Sequence, residues 1–147
     1  MAVKKLYWAD KGAKNLVLIG NAGINHLLNK ANEVNNSDPT HATELKAWAK
    51  TIAYDVGANT WPGWNDEGVT ISDTEMYAGL NAAKLNLKLG LELDKPKDKI
   101  SIAHWLLGAH YLAAKNYDAA ANSFTTSLEI SKGLKDCLLY TSDAADE

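Results

Sequence analysis

The 147-residue sequence contains no arginine, so all fifteen of its basic residues are lysines. Without guanidinium groups, the chain lacks the planar donor fork that grips a phosphate or carboxylate through two parallel hydrogen bonds. The pI is about 5.8, and no stretch of the sequence forms a basic stripe. Nucleic-acid binding is therefore disfavoured, because it depends on a concentrated positive surface.

Cysteine is nearly absent as well, since the chain has only Cys137. This residue opens the segment 137–147, CLLYTSDAADE, which matches the translation of a transposase-type sequencing adapter. We therefore expect 137–147 to be a non-native tail, and 1–136 to be one domain truncated at this junction. Without the tail, the 18 acidic residues fall by three to 15 and balance the 15 lysines. The domain then has no disulfide, thiolate nucleophile or cysteine metal site.

Long apolar runs are missing too, because no stretch approaches the roughly 18 apolar residues that a membrane span requires. Near the amino terminus, Asp10, Lys11 and Lys14 interrupt the apolar residues before they reach the length of a signal peptide. We expect a cytoplasmic protein that does not contact a membrane. A secreted protein whose upstream signal has been lost is the alternative.

Proline occurs only three times, and no stretch alternates apolar and polar residues over the length of a strand. Alanine, leucine and lysine are abundant, which favours an all-α fold. Asp38 followed by Pro39 is typical of a helix start, and Ser72 to Glu75 has the spacing of a capping box. Gly57 and Gly133 are placed to end helices. These signals predict five helices, at about 14–34, 39–56, 73–94, 98–115 and 118–132.

The segment from Ser101 to Gly133 carries a specific motif, in which large and small residues recur at fixed spacing: His104, Leu107, Gly108, Tyr111, Asn116, Ala120, Phe124 and Ser127. This pattern resembles the tetratricopeptide repeat, a helical hairpin of about 34 residues. Gly108 and Ala120 would let the two helices approach closely, and Tyr111 and Phe124 would fill the space beside them. The resemblance implies antiparallel helical hairpins in a right-handed superhelical stack.

A second, degenerate repeat lies upstream, because Ala83 precedes Ala120 by 37 residues and begins a similar pattern. The second predicted helix resembles the matching first helix of that repeat, through Leu45, Trp48 and Ile52. The connection between the two helices is much longer than the short turn of the family. The chain therefore resembles one clear repeat and one interrupted repeat.

In the tetratricopeptide family, the first helices of successive repeats line a concave groove that holds a peptide or a helix of another protein. The resemblance therefore implies a non-catalytic scaffold for protein interactions, whose partner the sequence does not identify. Carried over by position, the groove residues are Lys46, Lys50, Tyr54, Trp105, Ala109 and Leu112. The alternative is that these residues only pack against neighbouring helices.

The long connection at 57–71 contains two tryptophans, Trp61 and Trp64, and the acidic residue Asp66. Long ordered loops on helical scaffolds often bind ligands, and an aromatic face can stack on a sugar or attract a cation. The alternative function is therefore a domain that uses this loop to bind a small molecule, such as a sugar or a metabolite, or an enzyme-associated domain. The competing interpretation is that both tryptophans fold back to fill the gap that the insertion opens.

Catalytic signals are weak throughout the sequence. The four histidines are scattered, and the six-residue spacing of His104 and His110 puts them on different faces of one helix. No zinc-protease motif, phosphate loop or nucleophile elbow occurs. We therefore expect no enzyme activity, no catalytic residues, no metal and no cofactor.

Overall fold

The computed structural model describes residues 11–143, and their side chains as far as Leu134. Within this range the chain forms five α-helices, joined by short turns and one longer connection. They are α1 (Lys14–Val34), α2 (Pro39–Asn59), α3 (Asp73–Glu92), α4 (Lys97–Ala113) and α5 (Tyr117–Asp143). A 3₁₀ turn, Pro62–Trp64, lies in the connection between α2 and α3. The described residues form no β-strand, which confirms the predicted all-α class.

Two helix starts form as the local sequence predicts. At α2, the Asp38 carboxylate accepts a hydrogen bond from the His41 backbone N at 2.9 Å, and Pro39 is the first helical residue. At α3, the Ser72 backbone N donates to the Glu75 carboxylate at 2.7 Å, while the Glu75 backbone N donates to Ser72 Oγ. Both caps satisfy backbone N–H groups that the first turn leaves without intrahelical partners.

The helices pack as a stack of hairpins, because each one contacts the next along the chain. In the α4–α5 hairpin, a Cβ on Gly108 would lie 2.9 Å from the Phe124 ring, so glycine is what allows this approach. Ser101 and Ser127 add a reciprocal pair of bonds, in which each hydroxyl donates to the other residue's backbone carbonyl at 2.8 Å. The predicted close approach in this hairpin is confirmed.

The core is built largely from small side chains. Ten of the buried apolar residues are alanines: Ala13, Ala31, Ala42, Ala49, Ala53, Ala82, Ala83, Ala103, Ala109 and Ala120. Two clusters add larger groups, one around Leu16 and Val56 and the other around Leu106 and Leu107. Small residues bring helix axes close together, so the stack stays tight although aromatic residues remain on its surface.

Gly57 does not end α2 as predicted. The helix continues to Asn59, and Gly57 is buried inside it. A Cβ there would lie 3.1 Å from Leu106 Cδ2 and 3.5 Å from the Ala83 backbone N. Glycine at this position therefore serves the close packing of α2 against α3 and α4.

Gly133 does not end the last helix either, since α5 continues through it to Asp143. A Cβ on Gly133 would meet nothing within 4 Å, so no contact requires a glycine there. Glycine inside a helix costs about 1 kcal/mol relative to alanine, which weakens a helix without stopping it. The helix therefore enters the segment that begins at Cys137.

Candidate functional site

Helices α2 and α4 lie side by side and leave a cleft of about 240 Å³ between them. Its walls are Lys50, Thr51 and Tyr54 from α2, with Lys99 and Ile102 from α4. Trp105 follows Ile102 one turn later on α4. We call this set of six residues the α2–α4 groove.

The groove exposes large apolar groups that a folded core would normally cover. Tyr54 is 38% exposed, Ile102 43% and Trp105 39%. The resemblance predicted Lys50, Tyr54 and Trp105 as groove residues. Lys50 and Tyr54 line this cleft, and Trp105 lies one turn beyond Ile102 on α4. Their apolar surface is therefore available to a ligand.

Trp105 also belongs to a cluster with the two tryptophans of the long connection. Its ring centroid lies 5.4 Å from that of Trp61 and 6.3 Å from that of Trp64, and the Trp61 and Trp64 centroids are 4.9 Å apart. The Trp61 ring packs edge to face on both partners, an arrangement that aromatic pairs prefer. The two sites predicted separately, the groove and the loop, therefore meet in one tryptophan cluster of Trp61, Trp64 and Trp105.

The connection is fixed to α2 by Trp64, whose Nε1 donates to the Ala58 carbonyl at 2.6 Å. Gly63 allows the Trp61 ring to lie directly over its backbone, where a Cβ would overlap the ring. Trp61 is half-buried by these contacts, whereas Trp64 remains 51% exposed. The packing interpretation thus describes Trp61 better than Trp64.

Asp66 does not line the groove. It lines a separate hollow of about 230 Å³ together with Trp61, Pro62, Asn65, Val69, Thr70 and Ile71. Asn65 adopts a left-handed conformation, with φ 51°, at the end of the 3₁₀ turn. Asp66 therefore does not share a cavity with Lys50 or Ile102.

Lysines gather at the opposite end of the groove from the tryptophans. Lys50 Nζ donates to Asn86 Oδ1 at 3.0 Å, and Lys46 Nζ forms an ion pair with the Glu92 carboxylate at 2.6 Å. Burial lowers the pKa of Lys50, and the nearby charges of Lys95 and Lys99 lower it further. Asn86 Nδ2 is buried and has no hydrogen-bond partner in the described part of the chain.

Three of the predicted groove residues, Lys46, Ala109 and Leu112, do not line the cleft. Ala109 is only 1% exposed, so it is packed inside the stack and offers no surface to a ligand. Leu112 is 47% exposed on the last turn of α4, about 10 Å along the helix from Trp105 at a rise of 1.5 Å per residue.

A buried polar contact behind the groove was not predicted. His110 is 2% exposed, and its Nε2 donates to the Gly57 carbonyl at 2.9 Å, which fixes the proton on that nitrogen. Thr60 Oγ1 donates to the Val56 carbonyl at 2.7 Å, and it also lies 3.1 Å from the Gly57 carbonyl that His110 contacts. Burial lowers the pKa of His110, and the bond to Gly57 opposes this in part.

His104 lies apart from His110, is partly buried on α4, and has a pKa that burial lowers. Within residues 11–143, no group of three or more histidine, cysteine or acidic side chains is placed to share a metal ion. In the same range, no helix combines the length and the apolar character that a bilayer crossing needs.

These features define a class of structure, an all-α stack of helical hairpins with an aromatic groove beside two lysines. A comparison with protein-family models found no match, and neither did comparisons with curated proteins and with solved structures.

Proposed function

We propose that this chain is a non-catalytic scaffold of the tetratricopeptide kind, which holds a peptide or a helix of another protein in the α2–α4 groove. One observation carries the proposal: Tyr54 and Ile102 expose apolar surface in one cleft, and Trp105, one turn beyond Ile102, is exposed next to two further tryptophans. Aromatic residues are the side chains that most often dominate the binding energy of protein interfaces.

The size of the aromatic surface favours a macromolecular partner. Phe, Tyr and Trp side chains each bury about 150–250 Å² when covered, at about 25 cal/mol per Å² of apolar surface. Trp105 is 39% and Tyr54 38% exposed. Covering the surface that remains exposed on both would therefore contribute about 3–5 kcal/mol before the costs of association. A peptide or a helix covers two such residues more readily than a small molecule does.

The hairpin geometry supports the tetratricopeptide kind of scaffold. Gly108 packs against Phe124, Ala120 is buried, and α2 and α4 occupy the positions of first helices in two successive hairpins. The long connection between α2 and α3 departs from the family pattern. In this proposal its tryptophans extend the wall of the groove.

Selection of peptides tests the proposal. A library of random twelve-residue peptides, displayed on phage, is panned against the immobilised protein, and the enriched peptides are synthesised with a fluorescent label. We expect Trp105→Ala to weaken their binding by about tenfold or more, since central tryptophans typically contribute 2 kcal/mol or more.

Trp48→Ala is the matched control, because Trp48 is 62% exposed on α2 outside the groove. It is expected to leave peptide affinity unchanged. Equal affinities for wild type and Trp105→Ala, or no enrichment over the starting library, would contradict the proposal.

A second candidate function is small-molecule binding, favoured by the hollow beside Trp61 and Asp66. Its aromatic edge and polar groups suit a sugar or a metabolite. A panel of sugars and metabolites is titrated while intrinsic tryptophan fluorescence is recorded. This candidate requires a saturable response that Trp61→Ala abolishes, and a flat response across the panel excludes it at the concentrations used.

A further inference from the structure

The lysine end of the α2–α4 groove brings together one lysine from each helix. Lys50 projects from α2 and Lys99 from α4, and both line the same cleft. Lys95, from the turn between α3 and α4, contributes to the lowered pKa of Lys50 but lines a different cleft. Like charges repel one another, so an anion between Lys50 and Lys99 would be stabilised.

Two nearby acidic side chains already pair with lysines. Glu92 pairs with Lys46, and Asp98 pairs with Lys99 itself at 3.0 Å. Because the Lys99–Asp98 pair is exposed, it contributes little to stability, and a partner's carboxylate can compete for Lys99. Asp94 lines a different cleft, on the side that faces α5. Lys50 donates a hydrogen bond to a neutral group, the amide oxygen of Asn86.

A strip of α4 carries positive charge followed by exposed apolar surface. Lys99 and Ile102 lie one turn apart and line the same cleft. Trp105 follows three residues after Ile102, about 9 Å along α4 from Lys99 and about 120° around the helix axis from it. On α2, Lys50 and Tyr54 are one turn apart and line the same cleft. A ligand that follows the strip meets a cationic region first and an aromatic region next.

We propose that the partner segment is acidic and apolar, with an Asp or Glu side chain placed between Lys50 and Lys99 and a large apolar side chain against Ile102 and Trp105. This inference rests on the proposed function, and it names the chemistry of the partner. We assign a side chain and not a chain terminus, because Thr43, two turns before Lys50 on α2, is exposed and leaves room for the partner chain. The partner chain can therefore continue past the lysines.

The experiment uses the same peptide selection, with each displayed peptide joined to its carrier through its carboxyl end. We expect the enriched peptides to contain at least one Asp or Glu beside large apolar residues. Replacing that acid with its amide should weaken binding about tenfold, and Lys99→Gln should do the same. Affinity should also fall as salt increases, since partly exposed charge pairs are screened.

Lys132→Gln is the matched control, because Lys132 is exposed on α5 away from the groove. Lys99 is also exposed, so its replacement should leave the fold intact, whereas Lys50→Gln also removes the bond to Asn86. A free carboxyl terminus in place of an amide on the synthetic peptides should not change affinity. A requirement for the free terminus would overturn the side-chain assignment.

The two proposals fail in different ways. Peptides that bind through Trp105 but lack acidic residues, or that bind Lys99→Gln as tightly as wild type, contradict the acidic partner and leave the groove function standing. Absence of any enriched peptide contradicts both proposals.

Discussion

His110 and the carbonyl of Gly57 join α4 to α2 through a single buried hydrogen bond. Gly79 makes room for this contact, because a Cβ at that position would overlap Thr60 Oγ1 and lie 2.6 Å from His110 Cε1. Two elements of the groove are thus held in place by residues that do not line it. Substitutions of these residues should therefore change the free energy of unfolding more than they change the affinity for a partner.

Stability should decrease as pH falls below about 6.5, the ordinary pKa of histidine. Burial lowers the pKa of His110, and also that of His104, which is less deeply buried. At pH values between these lowered pKa values and the ordinary one, the unfolded chain therefore binds more protons than the folded chain. The stabilisation is complete above pH 6.5 and is lost as pH falls toward the lowered pKa values. Urea unfolding at several pH values between 8 and 5 measures this slope.

His110→Gln should reduce the slope, because the side chain no longer titrates. His26→Gln is the control, since His26 is exposed on α1 and its replacement leaves His110 buried. A pH slope that is identical in wild type and His110→Gln would show that this histidine does not couple folding to pH.

Gly79→Ala should destabilise the protein by about 1–3 kcal/mol, the usual cost of forcing extra atoms into a packed site. Gly133→Ala is the matched change on α5, where a Cβ meets nothing within 4 Å. It should stabilise by up to about 1 kcal/mol through helix propensity. Denaturant midpoints of the two variants should move in opposite directions, and a shift in the same direction would contradict the packing described for Gly79.

At the scale of the helices, the signals that predicted boundaries correctly are local ones. Asp38 and Ser72 cap α2 and α3 through bonds to residues three positions later, so the information lies within one turn of sequence. Gly57 and Gly133 show the limit of such signals. A glycine that serves packing against a distant helix has the same appearance in sequence as one that ends a helix.

The assembly of the candidate site depends even more on contacts between residues far apart in the sequence. Trp105 was predicted as a groove residue and Trp61 as a loop residue, but only the path of the connection between α2 and α3 brings their rings together. The bond between His110 and Gly57 spans 53 residues. No periodicity within a helix encodes either contact.

Ser72→Ala should destabilise the protein by about 0.5–2 kcal/mol, because it removes the side-chain cap of α3. Thr74→Ala is the control, two residues later in the first turn and exposed. Alanine is the better helix former, so this variant should be neutral or slightly more stable. Thermal melts followed by circular dichroism compare the two variants, and equal losses of stability would argue against a specific capping role.

At the scale of the whole molecule, the buried residues are mostly small and several aromatic residues are on the surface. Tyr54, Trp105 and Trp64 share one region of that surface, whereas Trp48 lies outside it. This distribution is typical of a stack that uses one face for binding. We therefore expect a partner to bind on this face.

Nuclear magnetic resonance tests that location most directly. A peptide obtained by selection is titrated into ¹⁵N-labelled protein, and backbone amide and tryptophan indole shifts are followed. The account predicts changes in the amides of 50–54 and 99–105 and in the indoles of Trp61, Trp64 and Trp105, with the Trp48 indole unchanged. Shift changes confined to α1, to α5 or to Trp48 would contradict it.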